Sequence, residues 1–130
     1  MEDFVTYEQA IKLKELGFVW KCFGYYLYDD DEVRFGETPK EYNYIVGNDH
    51  ISAPTLAQVQ KWLREVKGIS VEPVSCWYED NVSDNMVWSS FICSLKDKSG
   101  FVQTADFNTY EETLSAGIDK VIQFLVQQNN

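Results

Sequence analysis

Three short segments constrain this chain more than anything else in it. They are Thr6-Tyr7-Glu8-Gln9, Thr55-Leu56-Ala57-Gln58 and Thr109-Tyr110-Glu111-Glu112. Each places a Thr three residues before a Gln or Glu. A Thr hydroxyl at a helix N-cap accepts the amide three residues on, and the Gln or Glu side chain reaches back to the Thr amide. Two of the four orphan donors at a helix start are satisfied this way. Helical spacing follows each segment, so helices are expected over 7–16, 56–66 and 110–126. Leu56, Val59, Trp62, Leu63 and Val66 share one face of the second, and Leu114, Ile118, Val121, Ile122 and Leu125 form a stripe on the third. Gly17 and Gly68 stand where the first two helices should stop, because a left-handed residue after the C-cap suits glycine.

The starts of the first and last helices echo each other. Phe4-Val5-Thr6-Tyr7-Glu8 reads beside Phe107-Asn108-Thr109-Tyr110-Glu111. A duplication and a shared use of good capping chemistry both account for the echo.

Strands are expected between the helices, over 23–28, 42–46, 69–78, 86–95 and 101–106, from aromatic and β-branched content and alternation. Pro73 interrupts the third of these, which predicts a bulge or an edge strand there. Segments 29–41 and 79–85 are rich in Asp, Glu, Asn, Gly or Pro and read as loops, and 96–100 reads as a hairpin turn. The order is therefore α-β-β-α-β-β-β-α. Strands come in runs rather than alternating with helices, which predicts an α+β fold with a mainly antiparallel sheet of about five strands and three helices. At 130 residues, with no Pro- or Gly-rich linker, a single α+β domain over 1–130 is expected.

Charge excludes several functions. Seven basic and twelve acidic residues lie before Val66, and four and nine from there on, so each half carries −5 of the net −10. An evenly acidic chain is unsuited to direct binding of nucleic-acid phosphates or of anionic lipid. No stretch has the ~20 apolar residues of a membrane span, and no positive region followed by an apolar run marks a secretory signal. A soluble, cytoplasmic protein is expected, with reduced thiols at Cys22, Cys76 and Cys93, an odd and widely spaced set that makes no disulfide framework.

No catalytic or cofactor motif is present. The single histidine, His50, lies beside Asp49 in a segment read as a loop, with no Gly-x-Ser-x-Gly elbow in the chain. One His and three cysteines without Cys-x-x-Cys spacing do not make a zinc site. Cys22 has only Lys21 as a nearby positive charge. Asp29-Asp30-Asp31-Glu32 is contiguous where an EF-hand alternates its ligands, so a solvated loop is expected. Glycine-rich phosphate loops are missing, and no cofactor is expected.

What remains is aromatic. The chain has eight Tyr, eight Phe and four Trp, too many to bury completely. Trp20, Phe23, Tyr25, Tyr26 and Tyr28 run directly into the acidic cluster. If Phe23, Tyr25 and Leu27 face the core, Tyr26 and Tyr28 are left beside the acids, unless a helix covers that second face. This makes Trp20, Tyr26, Tyr28, Asp29, Asp30, Asp31 and Glu32 the candidate partner-contact residues.

Three segments also carry a resemblance: Phe4-Val-Thr-Tyr-Glu-Gln-Ala-Ile-Lys-Leu-Lys-Glu-Leu-Gly-Phe18, Ile51-Ser-Ala-Pro-Thr-Leu-Ala-Gln-Val-Gln-Lys-Trp-Leu-Arg-Glu-Val66 and Tyr110-Glu-Glu-Thr-Leu-Ser-Ala-Gly-Ile-Asp-Lys120. Together they resemble a family of short uncharacterised proteins from gut Bacteroidetes, found on phage-like or mobile elements. The resemblance is weaker through 73–95. It implies a context, an accessory protein in a bacterial cytoplasm, and no catalytic residue. The leading expectation is a non-enzymatic module with a protein partner. The alternatives are an acidic nucleic-acid mimic that blocks a host DNA-binding protein, and an enzyme whose carboxylates meet only in the fold.

Overall fold

The first helix follows from its ends. In the computed structural model, which describes residues 3–46, 49–79, 84–94, 102–103 and 107–128, helix α1 spans Tyr7–Glu15. Thr6 Oγ1 accepts the Gln9 amide at 3.2 Å, and Gln9 Oε1 accepts the Thr6 amide at 3.0 Å. At the other end Gly17 has φ 88°, the Gly17 amide reaches Lys14 O at 3.1 Å, and the Phe18 amide reaches Leu13 O at 3.0 Å. That is a Schellman motif, closed by the buried pair Leu13 and Phe18.

Strand β1 (Cys22–Leu27) and strand β2 (Asp30–Lys40) form an antiparallel hairpin. Leu27 pairs with Asp30, so the turn is Tyr28-Asp29, and Asp29 takes the left-handed φ of 64° that Asp tolerates. Strand β3 (His50–Ser52) pairs with the other edge of β1, giving the order β2-β1-β3. Two expectations are corrected here. Residues 29–41 are mostly strand rather than loop. β2 is an edge strand with its side chains largely in solvent, so charge does not oppose it, and pairing with β1 outweighs weak local propensity. Residues 42–46 are not a strand but a π-helical segment, Tyr42–Val46.

Side chains produce that second change by taking the backbone groups a ladder would use. Glu41 Oε1 accepts the amides of Asn43 at 2.8 Å and Tyr44 at 3.1 Å. Ser52 Oγ accepts the Tyr42 amide at 3.1 Å. Asn43, itself buried, donates to Phe18 O and accepts from the Ser52 amide, each at 2.8 Å. A short polar side chain that satisfies neighbouring backbone competes directly with strand pairing.

Helix α2 (Leu56–Trp62) begins after an antiparallel bridge between Phe4 and Thr55, and its first amide is held by Asp3 O at 2.9 Å. It continues as a π-helical segment, Leu63–Lys67, closed by left-handed Gly68. Leu56, Val59, Trp62 and Leu63 are buried as expected, while Val66 is exposed because the wider turn carries it off the stripe.

Strands β4 (Ile69–Glu79) and β5 (Asp84–Ser94) pair without interruption from Ile69 opposite Ser94 to Glu79 opposite Asp84. Pro73 therefore makes no bulge. It sits on the edge strand of the order β4-β5-β6, where a missing N–H is tolerated. Strand β6 (Val102–Gln103) pairs with Ile92 and Phe91, as expected of a chain turning back after β5; the turn expected over 96–100 lies outside the described residues.

Helix α3 (Tyr110–Gln128) starts from Thr109, whose Oγ1 accepts the Glu112 amide and donates to Glu112 Oε1, both at 3.1 Å. Leu114, Ile118, Val121 and Ile122 are buried. Gly117 admits close contact with the sheet: a Cβ there would lie 2.6 Å from Val71 Cγ1 and 2.9 Å from Ser90 Cβ. Ser90 Oγ donates to Thr113 O at 2.7 Å across the same contact.

The observed order is α-β-β-β-α-β-β-β-α. The class is α+β and every strand pairing is antiparallel, but the described strands form two three-stranded sheets instead of one sheet of about five. The chain separates into two compact units, Met1–Leu56 with Ile122–Asn130 and Ala57–Val121. The first packs around Val5, Leu13, Phe18 and Ile51, and the second around Val59, Trp62, Leu63 and Val71. The echo between the two helix starts extends to their backbones, since Phe4 and Phe107 each make an antiparallel bridge two residues before the capping Thr. The sheets do not share a topology, however. The first strand is central in one and the second strand in the other.

Candidate functional site

The structure divides the aromatic run differently from the alternation expected. Cys22, Gly24 and Tyr26 are the buried positions of β1, and Phe23 is exposed. Gly24 is required at its position, since a Cβ would meet Ala53 O at 2.6 Å and the Phe4 ring at 3.2 Å. Tyr26 is only 5% exposed, its hydroxyl donates to Val5 O at 2.7 Å, and its ring meets Tyr7 edge-on at 5.5 Å. It belongs to the core, and the expectation that Tyr26 stands on the surface beside the acids is corrected. Trp20 is half-buried, with its ring 6.4 Å from Phe18.

Tyr28 and the acids do come together, because the β1–β2 turn holds them. Tyr28 is 47% exposed. Its amide donates to Asp49 O at 3.1 Å, which fixes the end of the strand, and the Asp29 amide donates to the Tyr7 hydroxyl at 3.0 Å. Asp30 is the one acid of the cluster with a salt bridge, to Arg34 at 2.9 Å. The Arg34 hydrogen bond and then the Glu32 amide hold the Asp30 carboxyl below the usual range. Asp29, Asp31 and Glu32 are exposed to solvent.

Two residues outside the expected set complete this surface. Tyr44, on the π-helical segment, is 55% exposed, and its hydroxyl donates to the carbonyl of Lys14. Lys14, in the last turn of α1, brings its ammonium to the hydroxyl end of Tyr28, 3.4 Å from the hydroxyl oxygen and 5.2 Å from the ring centroid. It also reaches His50 O at 3.5 Å. Burial, then Glu41 and Tyr28, push the Tyr44 phenol up. Only the alternation of Tyr and Asn around Tyr44 was visible in the sequence, and that read as strand.

Behind the surface lies a stack. Tyr25 and Tyr42 rings are 4.7 Å apart and stacked, and His50 lies 5.1 Å from Tyr25 and 6.0 Å from Tyr42. His50 Nδ1 is 2.9 Å from the Asp49 carboxylate, which that hydrogen bond lowers below its ordinary value. His50 is thus on a strand with its ring against tyrosines, not in a loop.

Cys22 is buried, and desolvation raises its thiol, which disfavours the nucleophilic thiolate. Among the described residues no three His, Cys, Asp or Glu side chains are grouped to hold a metal ion. No described helix is long and apolar enough to cross a membrane. The class these observations define is an α+β chain with antiparallel sheets. No protein-family model matches the chain, and neither does any curated protein or any solved structure.

Proposed function

We propose that this chain is a non-enzymatic protein-binding module, and that Tyr28, Tyr44 and the acids Asp29, Asp31 and Glu32 form its contact surface. The observation that carries this reading is two tyrosines, 47% and 55% exposed, linked through Lys14 on well-anchored backbone. Tyrosine is enriched at interface centres because it buries large area at low entropic cost, while charges suit the rim. The resemblance to proteins of phage-like or mobile elements adds the proposed setting, an accessory protein in a bacterial cytoplasm.

Immobilised wild type and a Tyr28→Ala/Tyr44→Ala variant test the reading on host lysate, followed by binding isotherms on any purified partner. Loss of at least ten-fold in affinity is expected, about 1.4 kcal/mol or more, the scale of an interface anchor. Equal affinity of the two proteins for the partner sinks the surface assigned here. A second reading, mimicry of nucleic acid, draws on the net charge of −10. It is distinguished by a partner that is itself a DNA-binding protein, displaced by duplex DNA, with affinity falling steeply in salt.

A further inference from the structure

Strand β3 ends its sheet, and side chains stand along its outer edge where a neighbouring strand would. Asp49 O accepts the Tyr28 amide and the Ala53 amide donates to Gly24 O, so residues 49, 51 and 53 face β1 while 50 and 52 face away. On that outward side Lys14 Nζ reaches His50 O at 3.5 Å, and Asn43 Oδ1 accepts the Ser52 amide at 2.8 Å. Farther along, backbone takes over: Pro54 O accepts the Val5 amide, and the Leu56 amide donates to Asp3 O. Asn43 belongs to Tyr42–Val46, which is π-helical although its sequence, Tyr-Asn-Tyr-Ile-Val, is β-prone. Only Gly47-Asn48-Asp49 separate this segment from β3 in the sequence, and a three-residue link containing Gly and Asn suits a β-hairpin.

We propose that Tyr42–Val46 is a two-state segment. One state is the π-helical turn. In the other the segment is extended and pairs antiparallel with the outer edge of β3, with Tyr44 opposite Ser52, Ile45 opposite Ile51 and Val46 opposite His50. The side chains of Glu41, Asn43 and Ser52 hold the first state, since between them they accept the amides of Tyr42, Asn43, Tyr44 and Ser52. In the second state backbone of the segment replaces Asn43 on the Ser52 amide and Lys14 on His50 O. Both states satisfy the same edge groups of β3, and two packings of that kind need differ only a little in free energy. Conversion also carries Tyr44 away from the Lys14 carbonyl that its hydroxyl now meets. The extended state therefore takes apart the tyrosine surface described above, although the switch itself does not depend on what that surface binds.

Nuclear magnetic resonance on wild type and on Asn43→Val tests the switch. The substitution removes the side chain that holds the Ser52 amide and places a β-branched residue in the segment. Residues 44–46 of the variant should show strand-like carbon shifts and cross-strand contacts between Ile45 and Ile51. In wild type, saturation-transfer experiments should find a minor state of about 0.1–10% with the same strand-like shifts at Tyr44 and Ile45. A folded variant whose residues 44–46 keep π-helical shifts, or take random-coil ones, would overturn the proposal. Should Asn43→Val fail to fold, wild type alone decides. Exchange toward strand-like shifts at residues 44–46 then supports the two states, and a single state there removes them.

Discussion

At the scale of the residue, hydroxyl and carboxylate groups decide more than the apolar pattern does. Tyr26 illustrates it. Its ring is core, and its hydroxyl satisfies Val5 O, which joins β1 to the segment before α1. Tyr26→Phe removes that donor and leaves a buried carbonyl without it, so a loss of about 1 kcal/mol in chemical denaturation is expected. The phenol also links stability to alkaline pH. Burial, then the charge of Asp31, raise the Tyr26 group above the ordinary tyrosine value of 10.0. In that range the unfolded chain releases a proton that the folded chain keeps. Stability is therefore intact below the ordinary value and is lost as pH rises through the raised one. Melts in alkaline buffer should show a shallower pH dependence for Tyr26→Phe than for wild type; identical slopes would count against this account.

Among the elements, the two that depart from expectation are governed by side chains outside them. The π-helical segment Tyr42–Val46 depends on Glu41, a buried carboxylate holding two amides. Glu41→Ala leaves both donors unsatisfied and should cost about 1–3 kcal/mol. The Asn43 and Tyr44 amides should exchange faster in hydrogen-exchange experiments, with Glu41→Gln retaining most of the protection. Helix α3 poses the opposite case, where a missing side chain is the device. Gly117→Ala gains about 1 kcal/mol of helix propensity, but overpacking against Val71 and Ser90 costs about 1–3 kcal/mol. A net loss near 1 kcal/mol is expected, and it should shrink in a Val71→Ala background, where the clashing methyl is gone.

For the whole molecule, the governing quantity is charge. A net −10 spread evenly along the chain repels itself in the folded state more than in the expanded one. Thermal midpoints should rise as sodium chloride goes from about 10 mM to about 150 mM, because the screening length falls from about 30 Å to about 8 Å. A midpoint that falls over this range would show that attractive pairs such as Asp30–Arg34 outweigh the repulsion.

What the sequence determined by itself was the set of local events. Thr6 and Thr109 cap their helices, Gly17 and Gly68 take left-handed backbone, and β4, β5 and β6 follow one another antiparallel, because capping, turn chemistry and short-range pairing act over a few residues. The acidic turn with Tyr28 was legible for the same reason. Tertiary structure alone decided the rest. Asp30–Lys40 became a strand only because β1 offered it a ladder, and Tyr42–Val46 gave up a strand pattern because Glu41, Asn43 and Ser52 satisfied its backbone another way. Which face of β1 turned inward was settled by Gly24 closing against Ala53 and Phe4, and that choice buried Tyr26. The surface proposed to bind a partner joins Lys14, Tyr28 and Tyr44, three residues separated along the chain. Proximity across such separations is a property of packing, which no local spacing encodes.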